Sequence, residues 1–254
     1  MQDASTPEEL ANVDVEQRFD EQAARDGRPG PLDVAFLSNR ENVTEILLIR
    51  HAHQVLDLGG AIGGYADPPL SDLGEQQAQL LGAALSTKKI DAVYASPLRR
   101  AFGTAEAIAR HHRIEPVAIA DLREVEVFRD APQHLSSLEF MGAEALATLR
   151  HRFMAERTWD VYPYSESSAE FRRRVINTIE TITSDHAGGR VAVVCHGGVI
   201  NAFVSHVVGS RFDVLFRPAH TSISIAASAD SIHTLYTLND VHHLSTVDGD
   251  FRSV

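Results

Sequence analysis

Cysteine is nearly absent: a single thiol, Cys195, in 254 residues. That excludes an intramolecular disulfide framework and a zinc site built from several cysteines, and it fits a reducing compartment. Long apolar runs are missing too. No 18-residue apolar stretch occurs, so no transmembrane helix is expected. The opening MQDASTPEELANVDVEQRFDEQAARDG lacks the apolar segment of a secretory signal, and a cytoplasmic location is the expectation. Positive charge is scarce: 23 Lys and Arg against 35 Asp and Glu leave a net charge of −12. Such a surface repels nucleic acid and anionic membranes. An anionic substrate must then be held by local cations in a cleft, so the placement of the arginines says more than their number. Neither HExxH nor GxSxG occurs, which leaves zinc-peptidase and serine-hydrolase readings without support. GGAIGG (59–64) lacks the Lys-Ser/Thr of a P-loop and reads as a flexible loop.

At 44% hydrophobic residues, the chain can bury a sizeable core. Residues 1–44 are acidic, polar and weakly periodic, with a GRPGP breaker; they read as an extension, partly helical and partly disordered. From 45 to 254 the pattern is that of one domain. EILLIR (45–50) is a strand buried on both faces. Helical spacing follows at 71–88 behind a Ser71 N-cap, then a strand at 90–96. A helix at 97–112 opens on Pro97, and a third strand spans 115–120. Helices at 142–158 and 167–186, a buried strand at 190–196 and a helix at 197–209 come next. A hairpin of strands at 222–228 and 232–238 closes the series. Alternating strands and helices predict an α/β fold: a three-layer α/β/α sandwich around a mostly parallel sheet.

In such sheets the functional crevice lies beyond the carboxyl ends of the strands. Arg50-His51 ends the first strand, Ser96 the second with Arg99 and Arg100 just after, Leu122-Arg123-Glu124 follows the third, and His196-Gly197-Gly198 ends the fourth. Histidines, arginines and a glutamate are thus expected on one edge. Adjacent helical residues point about 100° apart, so Arg99 and Arg100 cannot face a site equally. Glu126 would share the face of Glu124 if the chain is extended, with Arg123 turned away. Cys195, next to an inward His196, should lie in the core. His53 is open between substrate and solvent. The pairs His111-His112 and His242-His243 read as solvated.

RHA (50–52), DPPLSDLGEQQA (67–78), SPLRRAFGTAEAIA (96–109), LRE (122–124) and VVCHGG (193–198) resemble, in order, the segments of the histidine phosphatase superfamily with its phosphoglycerate mutase-like fold. The resemblance covers about 45–240. It implies that His51 is a nucleophile forming a phosphohistidine, that His196 stabilises the transferring group, and that Glu124 is the general acid. It also selects Arg100 over Arg99. Arg50 and Arg100 suit a phosphate dianion because a planar guanidinium meets its oxygens bidentately, and the helix opening at Gly197 offers backbone N–H groups. No metal and no cofactor is implied. Small phosphorylated substrates are the expected partners, with no nucleic acid or membrane; a homodimer is compatible with the sequence.

Several positions depart from the family pattern. Ala52 replaces a glycine, Gln54 a hydroxyl residue, Asp57 an asparagine, Phe128 a glycine, and His220 an asparagine. The mutase branch carries E-R-H-Y-G where this chain has Glu124-Val-Glu-Val-Phe128, so anchoring for a small carboxylated substrate is lost. Net hydrolysis of phosphomonoesters is therefore favoured. A phosphoglycerate-type mutase, or a non-catalytic relative that binds phosphorylated ligands, is the alternative.

Overall fold

The structure is a computed structural model and describes residues 36–37, 42–55, 61–62, 67–229 and 232–245. The expectations for residues 1–35, for Asp57 and for most of GGAIGG lie outside the described residues. Six strands form one sheet in the order β3-β2-β4-β1-β5-β6: β1 (Thr44–Arg50), β2 (Ala92–Ala95), β3 (Val117–Ala118), β4 (Arg190–Cys195), β5 (Ile223–Ala229) and β6 (Ile232–Asp240). The first four are parallel; β5 runs antiparallel to β1 and pairs with β6 as a hairpin.

Alternation along the strands builds two cores, because successive side chains leave opposite faces. Ile46 and Leu48 of β1 join Val191, Val193 and Cys195 of β4 on one face. There they meet Phe171, Val175 and Ile179 of α5 (Ser168–Asp185) and Val199 and Phe203 of α6 (Gly197–Val207). Leu47 and Ile49, with Ala192 and Val194, turn to the other face. Leu81 and Leu85 of α1 (Asp72–Leu85) and Ala105 and Ile108 of α2 (Arg99–His112) cover them. Three layers result, α/β/α around a mostly parallel sheet. A short α3 (Ser137–Met141) and α4 (Ala143–Glu156) fill the stretch between β3 and α5.

Local chemistry fixes the element ends. The Ser71 hydroxyl accepts from Gly74 N–H and starts α1. Ser167 and Glu170 form a capping box at α5. Several expected boundaries move by one to three residues, the second strand among them, and two shifts have a clear cause. Pro97 stands outside α2, because Leu98 is still extended and serves as its N-cap. The third strand shrinks to Val117 and Ala118, both exposed on the sheet edge, since Pro116 has no N–H to pair and a 3₁₀ turn begins at Ala120. At the other edge, Tyr236 Oη donates to Phe36 C=O, and Leu37 is buried.

Candidate active site

The strand order β2-β4-β1 is what assembles the site. Arg50 is in register with Cys195, and Ala95 with Val194. The residues that follow therefore leave the sheet side by side, about 5 Å apart per strand. His51 is buried, and its ring centroid lies 5.0 Å from that of His196. His51 Nδ1 is 2.8 Å from Ala52 C=O, which can only accept, so Nδ1 carries the proton and Nε2 keeps a lone pair. Arg100 Nε donates to that Nε2 at 3.4 Å. Arg100 Nη2 lies 3.5 Å from His196 Nδ1, while Ser96 Oγ holds His196 Nε2 at 2.8 Å. A guanidinium only donates, so the His196 proton sits on Nε2, toward Ser96. Both imidazoles are held well below 6.5 and are neutral: burial dominates, with His196 and Arg100 adding for His51, and Arg100 and Arg50 for His196.

Glu124 completes the cluster. It is half-buried, and its carboxylate accepts from Gly198 N–H and Val125 N–H, each at 3.0 Å. Burial raises its pKa above 4.5, against those two bonds and the nearby Arg100 and Arg50. A carboxyl that keeps its proton longer than usual beside two guanidinium groups is suited to donate it. Its placement is relayed from α5. Arg174 donates to the backbone carbonyls of Asp121, Arg123 and Glu124, and pairs with buried Glu166 at 2.6 Å. Gly198 is required by this approach: a Cβ there would stand 2.2 Å from Glu124 Oε1. The N–H of Gly198 is therefore committed to Glu124, and the anion site expected at the start of α6 is narrowed to Gly197. Glu126 is separated from Glu124. It turns to the surface arginines Arg123, at 3.4 Å, and Arg129, because the chain here is irregular rather than extended.

Arg50 is oriented through α6. Asn201 accepts from the N–H groups of Leu215 and Phe216 and donates to Phe216 C=O, which shapes the 215–218 loop. Pro218 C=O in that loop accepts from Arg50 Nη1. Arg50 Nε is buried with no hydrogen-bond partner among the described residues, a donor available to an anion. Burial, then Arg217 and Arg100, lower Arg50 to about 10 against the pull of Glu124. Arg50, Glu124 and Gly197 line a cleft of about 540 Å³ that continues past Arg217 to Phe153, Met154, Arg157 and Trp159. Arg99 is exposed, and Cys195 is buried in the core with its thiol pushed above its ordinary pKa by burial.

Three residues acquire places that the sequence reading did not give them. His220 is buried, with its ring 5.6 Å from His51 and 5.2 Å from His53. His53 is half-buried and bonded to Ser71 Oγ at 2.7 Å. His243, expected in solvent, is buried and lies 3.1 Å from Thr221 Oγ1, because the turn after β6 folds back under the 220–222 segment. The only local signal for this third imidazole beside His51 was the His-for-Asn departure at 220. Ala52 fits without a left-handed backbone, packed against Ala78 and Ala107.

Strand ends and the turns after them that gather two neutral imidazoles, two arginines and a half-buried carboxyl over a mostly parallel sheet define a phosphoryl-handling enzyme class. The chain belongs to the histidine phosphatase superfamily (branch 1), whose model matches residues 46–241, and it is a histidine phosphatase. It is 31% identical over 217 residues to phosphoglycerate mutase-like protein 4 of Arabidopsis thaliana, covering 82% of this chain and 90% of that one. It is 29% identical over 224 residues to the metal-independent phosphoserine phosphatase of the same plant, covering 83% and 90%. Among solved structures, Bacillus stearothermophilus YhfR shares the fold with a TM-score of 0.68 at 21% identity, covering 79% of this chain and 99% of that one.

Proposed function

We propose that this protein hydrolyses small phosphomonoesters through a phosphohistidine at His51, with Glu124 as general acid. One observation carries the reading. The Nδ1–H bond to Ala52 leaves the His51 Nε2 lone pair facing Arg100 and the neighbouring His196. A phosphoryl group bound there meets Arg50 and Arg100, each charge-assisted bond contributing roughly 1.5–3 kcal/mol. Arrival of the dianion raises the proton affinity of His196, which then stabilises the transferring oxygens. Nε2 attacks phosphorus: a P–N bond forms, the P–O ester bond breaks, and Glu124 protonates the departing alkoxide. The Glu124 carboxylate then takes a proton from water as its oxygen attacks phosphorus, the P–N bond breaks, and inorganic phosphate leaves. Gly197 lines the same cleft as Arg50 and Glu124. No metal is needed, because Arg50, Arg100 and a His196 protonated on arrival of the dianion neutralise the charge.

Hydrolysis is favoured over transfer to a second substrate because Glu124-Val-Glu-Val-Phe128 stands where the mutase branch carries E-R-H-Y-G and the cleft is walled by Phe153, Met154 and Trp159. The name of the phosphoserine phosphatase relative makes phosphoserine a natural member of the substrate panel. The test is His51→Ala. Turnover of p-nitrophenyl phosphate should fall by at least about 10³-fold with the circular dichroism spectrum unchanged. Retained turnover removes His51 as nucleophile.

A further inference from the structure

At the opposite end of the sheet, Glu180 of α5, His206 of α6 and His233 of β6 bring one ligand atom each to within 4.8 Å of one another. The catalytic cluster does not involve them. His206 lies nine residues along α6 from Gly197, about 14 Å away at 1.5 Å per residue. We propose that these three residues bind a zinc-class divalent transition-metal ion that ties the terminal hairpin to α5 and α6.

The His233 side chain is only 5% exposed, yet its Nε2 makes no hydrogen bond among the described residues. Glu180 Oε1 stands 3.9 Å from that atom, beyond hydrogen-bonding reach. The other ring nitrogen, Nδ1, is fixed by Ser228 Oγ at 2.8 Å. A ring whose inner nitrogen is bonded and whose outer nitrogen is bare is oriented as metal-ligating histidines are by their supporting partners. The Phe203 ring, 5.3 Å away and edge-on, supplies an apolar floor.

The donor set selects the ion. Two imidazoles and one carboxylate suit zinc and its neighbours, whereas calcium and magnesium require oxygen ligands. Tetrahedral zinc at 2.0–2.1 Å places its donors about 3.3 Å apart. The present spacing must therefore close by roughly 1.5 Å, and the side chains free to close it are Glu180, 42% exposed, and the exposed His206. A groove of about 370 Å³ lined by Glu180, Ser228 and His233 leaves room for water as a fourth ligand.

The test is calorimetric titration of the full chain with Zn²⁺, repeated on His206→Ala, Glu180→Gln, Ser228→Ala and His51→Ala. The expected result is one Zn²⁺ event that raises Tm, survives His51→Ala, and weakens at least tenfold in His206→Ala and Glu180→Gln. Ser228→Ala, which touches no metal, should weaken it about tenfold through His233 alone. Phosphatase activity of His206→Ala should equal that of the parent. No Zn²⁺ binding, binding unchanged in His206→Ala, or binding abolished only by His51→Ala overturns the proposal.

Discussion

Glu124 and His51 are displaced from their ordinary pKa values in opposite directions by the same burial, since desolvation opposes charge of either sign. On the proposed mechanism His51 attacks as the neutral imidazole, and its lowered pKa moves the acidic limb of kcat/KM well below 6.5. Glu124 acts there as the protonated acid, and its raised pKa moves the basic limb above 4.5. The pH profile should therefore be a bell whose basic limb belongs to Glu124. In Glu124→Gln that limb should vanish, and alkyl phosphates should lose about 10²–10⁴-fold in kcat while aryl phosphates lose far less, because a good leaving group needs little protonation. Equal losses on both classes in a stopped assay would assign the proton to another group.

At the scale of elements, Phe128 carries an unusual cost. Its φ is +62°, a left-handed conformation that disfavours side chains by about 1–2 kcal/mol. It persists because the ring is buried edge-on to Phe140 and Tyr162, where an aromatic contributes roughly 3–5 kcal/mol relative to alanine. Phe128→Gly should thus be less destabilising than Phe128→Ala by about 1 kcal/mol, the reverse of the usual order, as glycine alone relieves the backbone. Urea denaturation of the two variants measures the difference; alanine being the milder change would contradict the strain argument.

The same elements show where the sequence is legible. β1, β4 and the helices around them follow from local apolar patterning, which also puts Arg50, His51 and His196 at strand ends; the choice of Arg100 over Arg99 in the next helix came from the family resemblance. Glu124 against Glu126 could not be resolved locally, since the choice depends on Arg174 reaching across from α5 to hold the 121–124 backbone. His220 and His243 meet their neighbours only through the register of the antiparallel hairpin. Pairings set by chain segments from 22 residues apart (His243 with Thr221) to 169 apart (His220 with His51) leave no trace in a short window of sequence.

Across the whole molecule, chemistry and the distal ligand cluster occupy opposite ends of one sheet, joined by α6. Among the described residues no helix is long and apolar enough to cross a membrane. Dialysis against EDTA should leave p-nitrophenyl phosphate turnover unchanged, since the clamp consists of arginines and histidines. Strong inhibition, reversed by added metal, would mean that the clamp is incomplete without an ion. With a net charge of −12, the surface as a whole repels a phosphate ester. On the proposed function, recognition therefore rests on the few guanidinium groups at the site.

The proposed phosphohistidine can be trapped. Rapid acid-free quenching of the enzyme with a phosphate-labelled substrate, followed by peptide mapping, should yield an acid-labile, alkali-stable phosphoryl group on the peptide containing His51, formed and discharged at rates compatible with turnover. Label on any other residue, or turnover with no covalent phosphate at quench times shorter than one cycle, would contradict the account.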